Sequence, residues 1–405
     1  MANDEALGRA DIKSNDDTAF QLGPVIISIG IAISAVLPVF LTGALAVQIR
    51  QQLDFTPSLL GAAVATFFFF AAAGSFISGH LSHRVDGYVV IKSCMILSSL
   101  VLVTIAAVRV DYVSMVALLA AAGAVNGALQ PHVNLFVSRA IPPRRQGFAF
   151  GVKQAAVPLA TFLAGLAVPT VALTIGWRFA YLATAPLGVI FFFLTPKSVL
   201  PTRDELANQI SSSRPAPIPM AMLGIGMGLG TGAANSFGAF IVSFAVHAGW
   251  KPGFAGLLIV VGSAIGVAAR IGHGLAADRR HGKHFLVAAG SVAIGGAGYL
   301  LLATAYSWII LPATVICYGA GWGWNGLFIF GLVRNFPRHA GYATGTVQSG
   351  AYVGSVLGPL AFGFVVDNAG YPVAWAIAAF SAFLAAIAVW FARRLVMASQ
   401  PGAVG

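Results

Sequence analysis

Gly274-Leu275-Ala276-Ala277-Asp278-Arg279-Arg280-His281-Gly282 decides how this chain is built, because Gly79-His80-Leu81-Ser82-His83-Arg84-Val85-Asp86-Gly87 repeats its pattern 195 residues earlier. Both stretches read Gly, three residues, His or Asp, Arg, two residues, Gly. Each follows a long apolar run. A second pair lies 194 residues apart: Pro143-Arg144-Arg145-Gln146-Gly147 continues through Gly151 to Gln154, and Pro337-Arg338-His339-Ala340-Gly341 continues through Gly345 to Gln348. Gly176-Trp177 and Gly370-Tyr371 keep the same spacing. Three matches in one order at nearly one spacing mark an internal repeat. Two related halves in the same orientation follow.

Composition places those halves in a membrane. Of 405 residues, 58% are hydrophobic and 9% charged, too few charges to cover a soluble surface of this size. The 47 glycines suit helices that approach closely in lipid. The net charge of +11 does not point to nucleic acid, since the Lys and Arg sit in short loops between apolar runs. Cys94 and Cys317 lie inside apolar runs, without metal or redox spacing, and read as packing residues. Residues 1–21 are polar and lack the basic start and short apolar core of a cleavable leader. They read as a disordered cytoplasmic tail.

A crossing helix needs about 20 apolar residues. Twelve runs meet that need: 22–48, 57–81, 88–108, 112–138, 148–173, 177–195, 217–246, 253–277, 284–304, 306–333, 341–366 and 371–392. They are continuous, not alternating, which argues against a β-barrel. The expected fold is all-α integral membrane, twelve transmembrane helices in two pseudo-symmetric six-helix bundles at 22–195 and 217–396. A linker at 196–216 and a tail at 397–405 complete the division. Lys and Arg crowd the two tails and the loops after the even-numbered runs. The other side carries only Arg50, Arg109, Arg178 and Lys251. Both termini are therefore expected in the cytoplasm, with the chain in the plasma (inner) membrane.

The quoted motifs resemble those of the major facilitator superfamily, from about residue 22 to 396. Its loop signature is Gly, an Asp four positions later, Arg, then Gly and basic residues. Gly79, Arg84, Gly274, Asp278 and Arg279 fit it, while His83 stands at the first Asp position and Gly282 comes one place late. The resemblance implies that Asp278 belongs to a cytoplasmic latch. It also implies two halves rocking around a central solute site, in a monomer with no cofactor or metal.

Charges inside apolar runs are costly and mark candidate sites. None of the 12 acidic residues falls in the interior of a run. Lys153 and Arg270 do, roughly 9 and 12 Å in from the cytoplasmic ends. One cation per half suggests a clamp for a small-molecule anion. Arg270-Ile271-Gly272-His273-Gly274 resembles the eighth-span pattern of monocarboxylate and oxalate carriers, in which an Arg binds substrate carboxylate; Gly266 stands where the former carry an Asp. The bland alternatives are that Lys153 reaches back to the interface and Arg270 caps helix carbonyls. Asn126, Gln130 and Asn134 share one helix face, as cavity lining or as interhelical glue. Asn235, Trp322, Trp324 and Asn325 offer a binding wall or plain packing. His132 carries a proton or only a hydrogen bond.

Three functions compete: an organic-anion carrier, an exporter of amphipathic compounds, and a transport-inactive membrane sensor. Drug–proton antiporters of the superfamily carry a Gly-Pro signature that the run 148–173 lacks. No nucleophile–base pair, metal cluster or phosphate loop suggests an enzyme. Without a nucleotide motif, transport would draw on a gradient, by exchange, facilitated diffusion or co-transport through His132.

Overall fold

The computed structural model describes residues 22–81, 85–140, 152–197, 216–279, 283–336 and 340–399. The N-terminal tail, residues 400–405 of the C-terminal tail, most of the 196–216 linker, His83, Arg84 and Gly147 lie outside these residues, so the expectations placed on them have no structural counterpart here. Among the described residues there are eleven helical segments long and apolar enough to cross a membrane. They are α1 Val25–Ala44, α2 Pro57–Leu81, α3 Gly87–Ala107, α4 Tyr112–Asn134, α5 Val152–Ala172, α6 Trp177–Leu194, α7 Pro217–His247, α8 Pro252–Ala277, α9 His284–Ala303, α10 Ser307–Asn335 and α11 Tyr342–Ala398.

One boundary differs from the sequence reading. The runs 341–366 and 371–392, expected as separate helices, lie on either side of a non-helical Gly370 (φ 81°) in α11. Glycine tolerates that left-handed turn, and the following Tyr371-Pro372 resumes a helix with its φ already set. The first run ends early: α1 stops at Ala44, and a separate short helix, Ala46–Leu53, follows.

Capping follows the sequence at the loop ends. Asp86 accepts the Tyr88 N–H at 2.8 Å and starts α3. Asp111 starts α4: it accepts the Ser114 hydroxyl and its N–H, and these bonds hold its carboxyl below the usual range.

Packing partners recur between the first and second parts of the chain. α1 packs on α5 and α2 on α4; α7 packs on α11 and α8 on α10. Contacts between the two parts run through α2 with α11, α5 with α8, and α1 with α7. Glycine makes the closest approaches. A Cβ at Gly354 would stand 1.8 Å from the Gly228 carbonyl oxygen, and one at Gly350 would stand 2.1 Å from that of Gly224. Gly358 meets Gly232 in the same way. This seam is the small-residue packing that replaces hydrophobic burial when the solvent is itself apolar. A groove of about 600 Å³ runs along its outer face, past exposed Ile225, Val353 and Leu357, where lipid chains would lie.

The seam predicts a contrast between two glycines of the second half. Gly354→Ala must push backbone apart and should destabilise the protein by about 1–3 kcal/mol. Gly290→Ala has open space around its Cβ and should leave stability unchanged. Thermal unfolding in detergent, followed by monodispersity, checks both.

Candidate functional site

Two helix defects built into the sequence set up the site. The first is Pro158 in α5. Proline has no N–H, so the Gln154 carbonyl one turn earlier loses its ladder partner. The second is in α10, where the α-helix gives way to a π turn at Cys317–Gly321 and resumes only at Asn325. Within the bilayer such carbonyls must find donors inside the protein.

Arg270 of α8 supplies both defects. Its Nε–H donates to the Trp322 carbonyl at 2.9 Å, and an Nη1 hydrogen goes to the Gln154 carbonyl. Its guanidinium lies 5.8 Å from the Trp322 ring centre, and the residue is only 2% exposed. Two neighbours complete the α10 break. His273, one turn along α8, meets the Gly323 carbonyl through Nδ1 at 3.1 Å, and Trp324 Nε1 donates to the Gly321 carbonyl at 2.8 Å. Each of the three carbonyls thus meets a side-chain partner, which leaves them poorly suited to coordinate a cation.

Lys153 stands beside Gln154 in α5, half-buried, and its Nζ donates to Asn134 Oδ1. The structure therefore pairs Asn134 with Lys153 and Trp322 with Arg270, and the two pairs join through the adjacent Lys153 and Gln154 of α5 in one chain of contacts. No carboxylate pairs with either cation among the described residues. Along α4, Asn126 is buried, Gln130 half-buried and Asn134 exposed, so this face opens toward the end where α1 begins. Asn126 and half-buried Asn325 each keep an Oδ1 without a hydrogen-bond partner.

Above Arg270, the two parts of the chain close on each other. The hydroxyls of Thr161 and Ser263 meet at 2.7 Å, and the rings of Phe40 and Trp322 at 5.8 Å. Farther toward the opposite end, the Asp367 carboxylate accepts the Ser58 N–H at 2.8 Å and so caps α2 from the other half of the chain.

Other candidates lie outside this chain of contacts. His132 is fully buried, with Nε2 3.1 Å from the Ser78 hydroxyl. Asn235 donates to Ser355 at 2.8 Å between α7 and α11. Trp324 packs against Gly230 of α7. Gly79 and Gly274 lie near the last turns of α2 and α8, with Gly274 buried. Asp278 and Arg279 end the α8 helix; their side chains, like all of Arg84, fall outside the described residues. The sequence reading singled out neither Pro158 nor His273. A proline inside an apolar run is a visible signal, but its consequence sits on another helix.

The model of the Major Facilitator Superfamily matches residues 25–341. This chain belongs to that superfamily. No curated protein matches it. Among solved structures it is similar to a single-residue mutant of the nucleoside transporter NupG, with a TM-score of 0.65 and 17% identity, over 90% of this chain and 99% of that one. At that identity the likeness speaks for the fold. The chain is a multi-pass membrane transporter.

The Thr161–Ser263 contact gives a direct test of the cross-chain seam. With Cys94 and Cys317 replaced, Thr161→Cys with Ser263→Cys should cross-link under mild oxidation and stop turnover, and reduction should restore it. A control pairing Thr104→Cys with Ser263→Cys should stay uncross-linked. Mobility on gels after cleavage in the linker reads the bond.

Proposed function

We propose that this chain is a secondary carrier for a small organic anion, most simply a carboxylate, working by alternating access around Arg270. The observation that carries this reading is a buried guanidinium whose partners are carbonyl dipoles, with no counter-charge among the described residues. A charge at membrane depth costs about 2.5–3.5 kcal/mol on insertion scales. An anionic solute supplies the missing charge, and Arg has N–H groups left to grip a carboxylate. Lys153, next to Gln154 in α5 and bound to Asn134, adds a second positive charge on the facing half of the chain.

The architecture supports two six-helix bundles. α11 has 57 residues, about 85 Å of helix at 1.5 Å per residue, against about 30 Å of hydrocarbon. Its break at Gly370 makes it two crossings, twelve in all, with both termini on one side. The distribution of Lys and Arg favours the cytoplasmic side of an inner membrane. The seam contacts Asp367–Ser58 and Thr161–Ser263 then close the outer face. A monomer suffices, since the site lies within one chain.

Efflux of amphipathic compounds is the second reading. It draws on the aromatic wall of Phe40, Phe237, Tyr318 and Trp322. Charge separates the two. Counterflow in proteoliposomes should exchange labelled oxalate, lactate or benzoate, and not uridine, the neutral control. Arg270→Ala should weaken this by about 10–100-fold, the equivalent of a lost charged hydrogen bond of about 1.5–3 kcal/mol. Lys153→Ala should weaken it several-fold. Intact carboxylate exchange in both variants would sink the anion reading.

A further inference from the structure

Pro158 leaves the Gln154 carbonyl open, and Arg270 fills it from α8, in the other half of the chain. The same guanidinium holds the Trp322 carbonyl at the α10 break. One side chain thus ties α5, α8 and α10 together at a single point. The Gly266 backbone lies one turn away on the Ser263 side, with an added Cβ falling 3.4 Å from the Pro158 ring. We propose that Pro158 is a positioning residue for transport, which makes the Arg270–Gln154 bond a latch between the two halves that the solute itself displaces.

The argument is one of competition. A carboxylate reaching Arg270 offers two charged acceptors to a group that otherwise holds neutral carbonyls. The carbonyl bonds already carry the donor's charge, but a carboxylate adds a full opposite charge and a two-point grip that a single carbonyl cannot match, so the guanidinium turns to the solute. The Gln154 carbonyl is then left for water entering with the solute, and α5 is free of α8 at this level. Bound solute therefore loosens the seam that must part for the site to change sides. Empty carrier keeps the latch shut. The displacement step rests on the anion reading above; the latch itself does not.

Pro158→Ala restores an N–H where the Gln154 carbonyl needs one. The helix then satisfies its own carbonyl, and Arg270 loses a tether without losing its charge. The expected result runs against intuition for a change in a tight seam. The concentration of oxalate, lactate or benzoate giving half-maximal counterflow should fall several-fold in Pro158→Ala, because the solute no longer competes with the carbonyl. A purely structural proline predicts an unchanged or raised value, and either of these in folded protein overturns the proposal.

A second measurement needs no solute. In a background lacking Cys94 and Cys317, a thiol introduced by Gly266→Cys should react with a membrane-permeable maleimide several-fold faster when Arg270→Met is added. Methionine keeps much of the stem and loses every donor, and size-exclusion chromatography confirms that the protein is folded. Unchanged labelling overturns the latch. If wild-type protein exchanges no carboxylate, the anion reading and the displacement step fall together, while the labelling rate still decides the latch.

Discussion

In hydrocarbon, every backbone N–H and C=O must be satisfied by the protein itself, and this structure is organised around the places where a helix cannot do so alone. Pro38 in α1 leaves the Ser34 carbonyl without its ladder partner, and the Ser98 hydroxyl donates to it from α3 at 2.9 Å. That repair is local and neutral and joins two helices of the same half. Pro158 poses the same problem in α5, but there the donor is a guanidinium from the other half of the chain. The difference between the two solutions is the difference between packing and mechanism. A serine has nothing better to do than hold a carbonyl, whereas an arginine does.

Magnitudes explain why Arg270 is poised and not locked. Placing its charge at depth costs about 2.5–3.5 kcal/mol. Each bond from a charged donor returns about 1.5–3 kcal/mol, and two are made to backbone carbonyls. The face of Trp322, 5.8 Å away, adds a smaller cation–π contribution. The two bonds, about 3–6 kcal/mol together, cover the cost, but their acceptors carry only partial charge, so a full counter-charge can still draw the guanidinium away. An acidic residue fixed nearby would have settled that question permanently, and none is paired with it among the described residues.

Much of this was legible in the sequence, and the part that was not has a physical cause. Apolar runs longer than a bilayer announce themselves, and so does a charge inside one, which is how Arg270 and Lys153 were found. The repeat was legible because loop motifs keep their spacing. The early end of the first run was not, because nothing in its apolar composition marks the stop at Ala44 or the short separate helix Ala46–Leu53. The shared face of Asn126, Gln130 and Asn134 followed from helical period, but period is blind to depth, and their burial falls from one to the next. His132 shows the same limit: its role turns on Ser78, 54 residues away, which no spacing rule reaches. Pro158 is the clearest case. Its effect is a missing hydrogen on one helix, answered by a side chain 112 residues later.

The rigid and breakable parts of the molecule are made from different interactions. Within the second half, α7 and α11 meet through Gly228 and Gly354 so closely that no side-chain atom fits between the backbones. Contact of that kind is lost over a fraction of an ångström, so the two helices must move as one body. Between the halves, the polar links among the described residues are discrete and include Asp367 on the Ser58 N–H, Thr161 on Ser263 and Arg270 on Gln154. The neutral Thr161–Ser263 bond contributes about 0.5–1.5 kcal/mol net and the two with one charged partner about 1.5–3 kcal/mol, small enough to give way one at a time. Of the outer two, the Asp367 link is exposed and the Thr161–Ser263 pair is buried and neutral. Only the innermost, at Arg270, has a reason to answer to an anion, and that places control of the seam at the point where the solute would bind.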